Sequence, residues 1–118
     1  MEEKQSNREN LRKNLKIKEI CDIILNTATK GIVHKIYLFG SYAYGEPNER
    51  SDVDILAIIE NDTDKSEEYA NIKMELRREN INYCDLIMSR KSDFYDSVKT
   101  NQNSIEHLIT TQGEVLYG

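Results

Sequence analysis

The stretches LFGSYAYG (residues 38–45) and SDVDIL (residues 51–56) decide the fold of this chain. The first ends an apolar run in a glycine-serine turn, and the second opens another apolar run with two aspartates one residue apart. Side chains alternate between the two faces of a β-strand, so Asp52 and Asp54 should share one face of the second strand. The two stretches therefore predict a pair of strands with a polar site where they meet.

The glycine-serine turn is suited to binding an anion. Gly40 and Gly45 allow backbone conformations and close approaches that a Cβ atom forbids. Successive backbone N–H groups in such a turn can form an anion-binding nest, and the Ser41 hydroxyl adds a donor. Because glycines mark ordinary turns far more often than phosphate sites, the turn alone identifies no ligand.

The aspartate pair predicts a cation beside the turn. Two like charges on an otherwise apolar face repel each other and are costly to desolvate unless a cation or a donor neutralises them. Carboxylate oxygens are hard ligands that suit Mg²⁺ or Mn²⁺. A third carboxylate, Asp85, interrupts the apolar stretch INYCDLIM at residues 81–88. Each signal alone also fits an ordinary turn or strand-edge aspartate, so only their combination points to a site.

This combination resembles the minimal nucleotidyltransferase (MNT) domain of the DNA polymerase β-like nucleotidyltransferase superfamily. The motif of that family reads roughly G-S-x-A-R-G, a short spacer, then S-D-x-D and an aliphatic residue, with a third aspartate in a later apolar strand. The present chain reads GSYAYG at 40–45 and SDVD at 51–54, with Asp85 further on, so the match spans about residues 36–88. Tyr44 departs from the pattern, because the family more often has arginine there.

The resemblance implies a role for each matched residue. It implies that the divalent metal ions, Mg²⁺ or Mn²⁺, are held by the catalytic residues Asp52, Asp54 and Asp85. Asp85 would be either a third metal ligand or the base that activates an acceptor hydroxyl. The resemblance further implies that the nucleotide, with ATP as the substrate, is bound by Gly40, Ser41, Gly45 and Ser51.

The resemblance also implies a function. In the resembled family, small proteins of this kind are often antitoxins paired with a HEPN-domain toxin, and some inactivate the toxin by transferring AMP to a tyrosine hydroxyl. We therefore expect a metal-dependent nucleotidyltransferase of the protein adenylyltransferase type, acting as a type VII-like antitoxin on a HEPN toxin. Two alternatives remain open: transfer to a small molecule such as an aminoglycoside, and a non-catalytic module that neutralises its partner by binding.

The hydrophobic pattern predicts an α/β (α+β) fold, with a small mixed sheet and helices packed on it, in a single domain over residues 1–118. An N-terminal helix should cover about residues 5–30, the catalytic core about 31–90, and C-terminal helices with a short strand 91–118. The expected strands are Val33–Phe39, Asp52–Glu60, Asn82–Ser89 and Glu114–Tyr117. The resemblance implies that this sheet has the polymerase β-like nucleotidyltransferase fold.

The remaining helices and their orientation follow from the same pattern. We expect a helix at Lys65–Glu79, capped by Thr63 or Asp64. A short helix should follow an N-cap at Ser92, and another should cover Ser104–Thr110. The first two strands should pair antiparallel, and the Asp85 strand should lie beside them. Gly31 should end the N-terminal helix as its C′ residue. The amphipathic repeat of the first helix consists of Leu11, Leu15, Ile17, Ile20, Cys21, Ile24, Leu25 and Ala28. From the second helix, the side chains expected to face partly inward are Tyr69, Ile72, Met74 and Leu76.

Size and composition narrow the class of protein. A chain of 118 residues suffices for one domain. Its formal net charge of −5 argues against broad, nonspecific nucleic-acid binding. Apolar runs such as Ile55–Ile59 are too short to span a membrane, and the charged N-terminus lacks a secretory signal. Cys21 and Cys84 lack metal-ligand spacing, which indicates reduced core residues of a cytoplasmic protein. The oligomeric state is left open, a homo-oligomer included.

Overall fold

The computed structural model describes residues 16–48 and 50–118. They form a four-stranded sheet with helices on both faces, which confirms the predicted fold class. Helix α1 is helical from residue 16, the first one described, to residue 27. The other elements in chain order are β1 (Val33–Phe39), α2 (Ser41–Tyr44), β2 (Val53–Ile59), α3 (Lys65–Arg78), β3 (Cys84–Arg90), α4 (Lys91–Thr100), α5 (Ile105–Gln112) and β4 (Glu114–Tyr117).

The sheet is mixed, with the strand order β3-β2-β1-β4. Strands β1 and β2 pair antiparallel, as predicted from the short connection between them. Strands β2 and β3 pair parallel, because the chain returns through α3 before it enters β3. The parallel pairing brings the first residues of β2 and β3 to the same end of the sheet, next to the last residue of β1.

One face of the sheet is covered by α1 and α3. The β2 residues Val53, Ile55, Ala57 and Ile59 all lie in this core, as their alternation predicts. Fully burying an aliphatic side chain of this size contributes about 1.5–3 kcal/mol, so this face supplies a large part of the fold's stability. From the helices the core receives, among others, the buried side chains of Ile17, Ile20, Ile24, Ile72 and Leu76.

The other face of the sheet is covered by α4 and α5. Leu56 and Ile58, which share the strand face of Asp54, pack there with Phe94 of α4 and Ile109 of α5. The ring of Phe94 stacks on Tyr37 of β1, with centroids 6.1 Å apart and planes inclined by 24°. The covering helices leave part of this face open, because Ile87 on the edge strand β3 is 36% exposed.

Several predicted details of the first three helices need correction. Helix α1 ends at residue 27, so Gly31, at φ +85, lies in the following turn and is not its C′ residue. The start of this helix, with Leu11 and Leu15, falls outside the described residues. On α3, Ile72 and Leu76 are buried as predicted, whereas Tyr69 is 38% exposed and Met74 51% exposed, so these two lie further outward than the partly inward positions predicted for them.

The inward face of α3 instead includes a carboxylate. Glu68 is buried together with Ile72 and Leu76, each four residues apart, which is the spacing of one helix face. The Glu68 carboxylate accepts a hydrogen bond from the Thr29 backbone N–H at 3.2 Å and another from the Thr29 hydroxyl. It therefore ties α3 to the chain that follows α1.

The helix starts were predicted with mixed success. Asp64 caps α3 by accepting a hydrogen bond from Glu67 N–H at 3.2 Å, and Ser104 caps α5 by accepting one from His107 N–H at 3.1 Å. Ser92 is not a cap, because α4 follows β3 directly and its N-cap position is Arg90, without a capping side chain. None of the helices in residues 16–48 and 50–118 combines the length and the apolar character needed to cross a membrane.

Candidate active site

The predicted site residues come together where β1 ends and β2 and β3 begin. Asp54 of β2 is the register partner of Asp85 on β3, and on its other side it pairs with Phe39 of β1. Gly40 follows Phe39 directly, and Asp52 immediately precedes β2. The register of the sheet thus brings the three carboxylates and the glycine-serine turn to one end of the molecule.

The three aspartates differ in their exposure. Asp54 is half-buried, whereas Asp52 and Asp85 are exposed. Burial raises the pKa of Asp54, and the charges of Asp85 and then Asp52 raise it further. No basic side chain counteracts these effects, so the Asp54 carboxylate lacks a compensating positive charge in the part of the chain described here. The site is therefore electrostatically prepared for a cation.

Gly40 makes room for the Asp54 carboxylate. Its φ of +74 is in the region that favours glycine. A Cβ atom at this position would clash with Asp54 Oδ2 and would lie 3.0 Å from its Cγ. Gly40, which was predicted to approach a phosphate, is therefore also needed to accommodate the Asp54 carboxylate.

The turn continues as the short helix α2, which begins at Ser41. The backbone N–H groups of Ala43 and Tyr44 donate to the Gly40 carbonyl at 3.0 and 3.1 Å. Gly45 is extended and not left-handed, but a Cβ there would lie only 3.0 Å from Ser41 Cα. Steric crowding therefore favours glycine at both positions, and at position 40 the backbone conformation also favours it.

The loop between α2 and β2 is organised around Asn48. Its side-chain Oδ1 accepts the Arg50 N–H at 2.8 Å, and its carbonyl accepts the Ser51 N–H at 3.1 Å. In return, the Ser51 hydroxyl accepts the Asn48 N–H at 2.9 Å. The geometry thus gives Ser51 a role in the loop itself, while its predicted contact with a nucleotide stays a prediction.

The carboxylates are neighbours without converging on one point. Within the two described ranges, no group of three or more histidine, cysteine, aspartate or glutamate side chains is arranged to hold a metal ion. The Asp54 carboxylate lies against Gly40, and Asp85 lies at the exposed edge of the sheet. The donor chemistry nevertheless fits Mg²⁺ or Mn²⁺, because all three side chains offer hard oxygen ligands of like charge.

Sequence reasoning missed the contact that Lys73 makes beside the site. Lys73 of α3 donates to the Cys84 carbonyl at 3.4 Å, directly before Asp85. Burial raises the pKa of the Cys84 thiol to about 12, a change that Lys73 opposes and the three site aspartates reinforce. At that pKa the thiol stays protonated, which agrees with the prediction of a buried, unpaired core cysteine. The contact joins residues on two elements, so no local pattern signalled it.

The comparisons with known proteins agree with this geometry. A sequence model of the family described as "Polymerase beta, Nucleotidyltransferase" matches residues 15–118. No curated protein matches the chain significantly. Among solved structures, a toxin-antitoxin crystallised with AMP-PNP is similar, with a TM-score of 0.58, 23% identity, and coverage of 86% of this chain and 73% of that one.

A second similar structure is a mutant of the toxin-antitoxin MntA-HpeT. It aligns with a TM-score of 0.55 and 21% identity, and the alignment covers 85% of this chain and 71% of that one. At these identities the two structures demonstrate a shared fold. The family match, in contrast, covers all of the described residues.

Proposed function

Since the chain belongs to the polymerase β nucleotidyltransferase family, we propose that it transfers a nucleoside monophosphate, AMP from ATP, to an acceptor hydroxyl. The observation that carries the proposal is the meeting of Asp52, Asp54 and Asp85 beside the Gly40–Ser41 turn. An anion-binding turn next to a carboxylate cluster has the two components that nucleotidyl transfer requires, positioning and charge compensation.

The proposed reaction forms one bond and breaks one. The acceptor hydroxyl oxygen bonds to the α-phosphorus of ATP, the bond from that phosphorus to the bridging oxygen of the β-phosphate breaks, and pyrophosphate leaves. Asp85 takes the hydroxyl proton, a role that suits its exposed position on an edge strand, where an acceptor has access. Gly40 and Ser41 bind the triphosphate through backbone N–H groups and the hydroxyl, together with Gly45 and Ser51.

A divalent cation is part of the proposal. Asp52 and Asp54 would hold Mg²⁺ or Mn²⁺, with Asp85 as a third ligand where it does not act as the base. Bound there, the cation would neutralise charge on the triphosphate and on the carboxylates. The raised pKa of Asp54, with no basic residue to offset it, supports this assignment.

We propose a protein toxin as the acceptor. Both similar structures are described as toxin-antitoxin structures, and one of them contains AMP-PNP, an ATP analogue. The resemblance to MNT proteins makes a HEPN-domain toxin the specific candidate, so that the chain would act as a type VII-like antitoxin. A tyrosine hydroxyl of the toxin would then be the group that receives AMP.

A second candidate function is neutralisation of the toxin by binding alone. It is favoured by one observation, the lack of a convergent three-ligand arrangement among the described carboxylates. The two candidates differ in whether the aspartates are needed, because a binding module does not depend on their charges.

Mutation of the aspartates separates the two functions. The protein is incubated with ATP labelled at the α-phosphate, Mg²⁺ and the protein encoded by the adjacent gene. We expect Asp52→Ala and Asp54→Ala to abolish labelling of that protein and to retain the wild-type circular dichroism spectrum. Asp62→Ala is the matched control, because Asp62 is an exposed turn residue beyond the other end of β2.

Two results would decide against catalysis. The first is that wild-type protein labels no acceptor and binds no ATP. The second is that Asp54→Ala still neutralises the toxin as well as wild type in a growth assay, which would establish binding as the mechanism.

A further inference from the structure

The glycine-serine turn provides phosphate donors but no positive charge. In this chain Tyr44 occupies the position where the resembled motif has arginine, and no other residue from 40 to 45 is basic. A triphosphate carries several negative charges and would enter a site that already holds three carboxylates. A cationic side chain at the edge of the site would offset that repulsion, and it would stabilise the leaving pyrophosphate.

Arg50 is the basic residue of the loop that leads into Asp52 and β2. It lies two positions before Asp52, and its backbone N–H is fixed by the Asn48 side chain at 2.8 Å. The Ser51 N–H and hydroxyl are bonded to Asn48 as well, so the backbone on the far side of Arg50 is also held. These hydrogen bonds therefore fix the backbone position from which the Arg50 side chain extends.

The guanidinium of Arg50 is available to a ligand. Arg50 is exposed, and its side chain makes no hydrogen bond or ion pair with residues 16–48 or 50–118. Among the described residues it forms no ion pair with Asp52, Asp54 or Asp85, so these carboxylates do not occupy its charge.

Other basic side chains that pack against the sheet are engaged elsewhere. The Lys35 ammonium lies 5.7 Å from the centre of the Tyr37 ring, and Lys73 donates to the Cys84 carbonyl. Arg90, at the opposite end of β3, donates to the Thr63 carbonyl at 3.2 Å. Arg50 differs from all three, because it lies two positions before Asp52 in the chain and its guanidinium bonds to none of the described residues.

We propose that Arg50 binds the β- and γ-phosphates of the nucleoside triphosphate and supplies the positive charge that the glycine-serine turn lacks. A guanidinium suits this role, since its planar fork donates two parallel hydrogen bonds to phosphate oxygens. The proposal rests on the proposed function and extends it from the reacting phosphate to the leaving pyrophosphate.

Nucleotide binding by variants tests the proposal without relying on turnover. Affinities for ATP and for AMP are measured by calorimetry in saturating Mg²⁺ with wild type, Arg50→Ala and Arg50→Lys. Because a charge-assisted hydrogen bond is worth about 1.5–3 kcal/mol, Arg50→Ala should bind ATP about 10- to 100-fold more weakly. The affinity for AMP should stay the same, since AMP lacks the two phosphates. Arg50→Lys should fall between wild type and Arg50→Ala for ATP.

Arg77→Ala is the matched control. Arg77 is an exposed arginine on α3 whose side chain has no ion pair with the described residues, so its loss should leave both affinities unchanged. Arg50→Ala should melt at the wild-type temperature, because an exposed and unbonded side chain contributes little to stability. This comparison separates a lost phosphate contact from a damaged fold.

The possible outcomes distinguish this proposal from the proposed function. Wild-type affinity for ATP in Arg50→Ala would overturn the assignment of Arg50 and leave the nucleotidyltransferase proposal intact. An equal loss of ATP and AMP affinity would overturn the assignment to the β- and γ-phosphates. Wild-type protein that binds no ATP would overturn both proposals.

Discussion

Gly40 is the residue on which the geometry of the site depends most directly. Its positive φ and its contact with the Asp54 carboxylate both favour glycine at this position. Gly31 shares the positive φ but not the contact, so it is a useful comparison. Gly31 has φ +85, but a Cβ there would meet nothing within 4 Å. Comparing substitutions at Gly31 and Gly40 therefore separates the effect of backbone strain from the steric effect on the Asp54 carboxylate.

We predict that Gly40→Ala impairs function and that Gly31→Ala does not. Both variants should lose roughly 1–2 kcal/mol of stability from the left-handed backbone, and Gly40→Ala should lose more because Asp54 must move. Urea unfolding and transfer of α-labelled AMP are measured for both variants. Equal stability and equal activity in the two variants would show that the Gly40–Asp54 contact has no importance.

Asp54 itself should lower the stability of the metal-free protein at neutral pH. Its pKa is raised in the folded state, so between the ordinary aspartate pKa of about 3.9 and the raised value the folded protein binds more protons than the unfolded chain. Stability therefore falls as pH rises through this window. Below it, Asp54 is protonated in both states and the penalty is absent.

Because the charged Asp54 lowers stability at neutral pH, we predict that Asp54→Asn melts at a higher temperature than wild type at neutral pH in EDTA. The difference should shrink as the pH is lowered toward the ordinary aspartate pKa of about 3.9, below which the carboxyl is neutral in both the folded and the unfolded state. Adding Mg²⁺ should raise the melting temperature of wild type and leave that of Asp54→Asn nearly unchanged. A variant less stable than wild type in EDTA at neutral pH would contradict the electrostatic description of the site.

At the scale of elements, the two predicted helix caps behave differently. Asp64 accepts a hydrogen bond at the start of α3, whereas Ser92 lies inside the first turn of α4, where its N–H donates to Asn61 Oδ1 at 2.9 Å. We predict that Asp64→Ala lowers the free energy of unfolding by about 1 kcal/mol and that Ser92→Ala changes it little. Chemical denaturation of both variants measures the difference, and a larger loss in Ser92→Ala would refute the cap assignment.

Local patterns predicted the bounds of two strands. Strands β1 and β4 have the predicted bounds, and a glycine directly follows each of them, Gly40 and Gly118. On helix α3 the prediction of Ile72 and Leu76 as inward residues was confirmed, but it omitted Glu68, which belongs to the same buried stripe. A carboxylate is normally placed outside, and the partner that makes its burial possible, Thr29, lies 39 positions earlier in the chain. Local sequence contains no signal for such a contact.

At the scale of the whole molecule, the site depends on the pairing of β2 with β3. The three aspartates could be identified from the sequence. A site, however, also requires that their strands are neighbours in the sheet, and the sequence did not show that they are. The observed register satisfies this condition by pairing Asp54 with Asp85. The orientation of each carboxylate was beyond prediction, because it results from contacts such as that between Asp54 and Gly40, which form only when β1 and β2 meet.

The central claim is that this end of the sheet transfers a nucleotidyl group. The most direct test compares ATP labelled at the α-phosphate with ATP labelled at the γ-phosphate, in the presence of Mg²⁺ and the protein encoded by the adjacent gene. We predict that only the α-label becomes covalently attached to that protein, while the γ-label is released as pyrophosphate. Attachment of the γ-label, or of neither label, would contradict the claim.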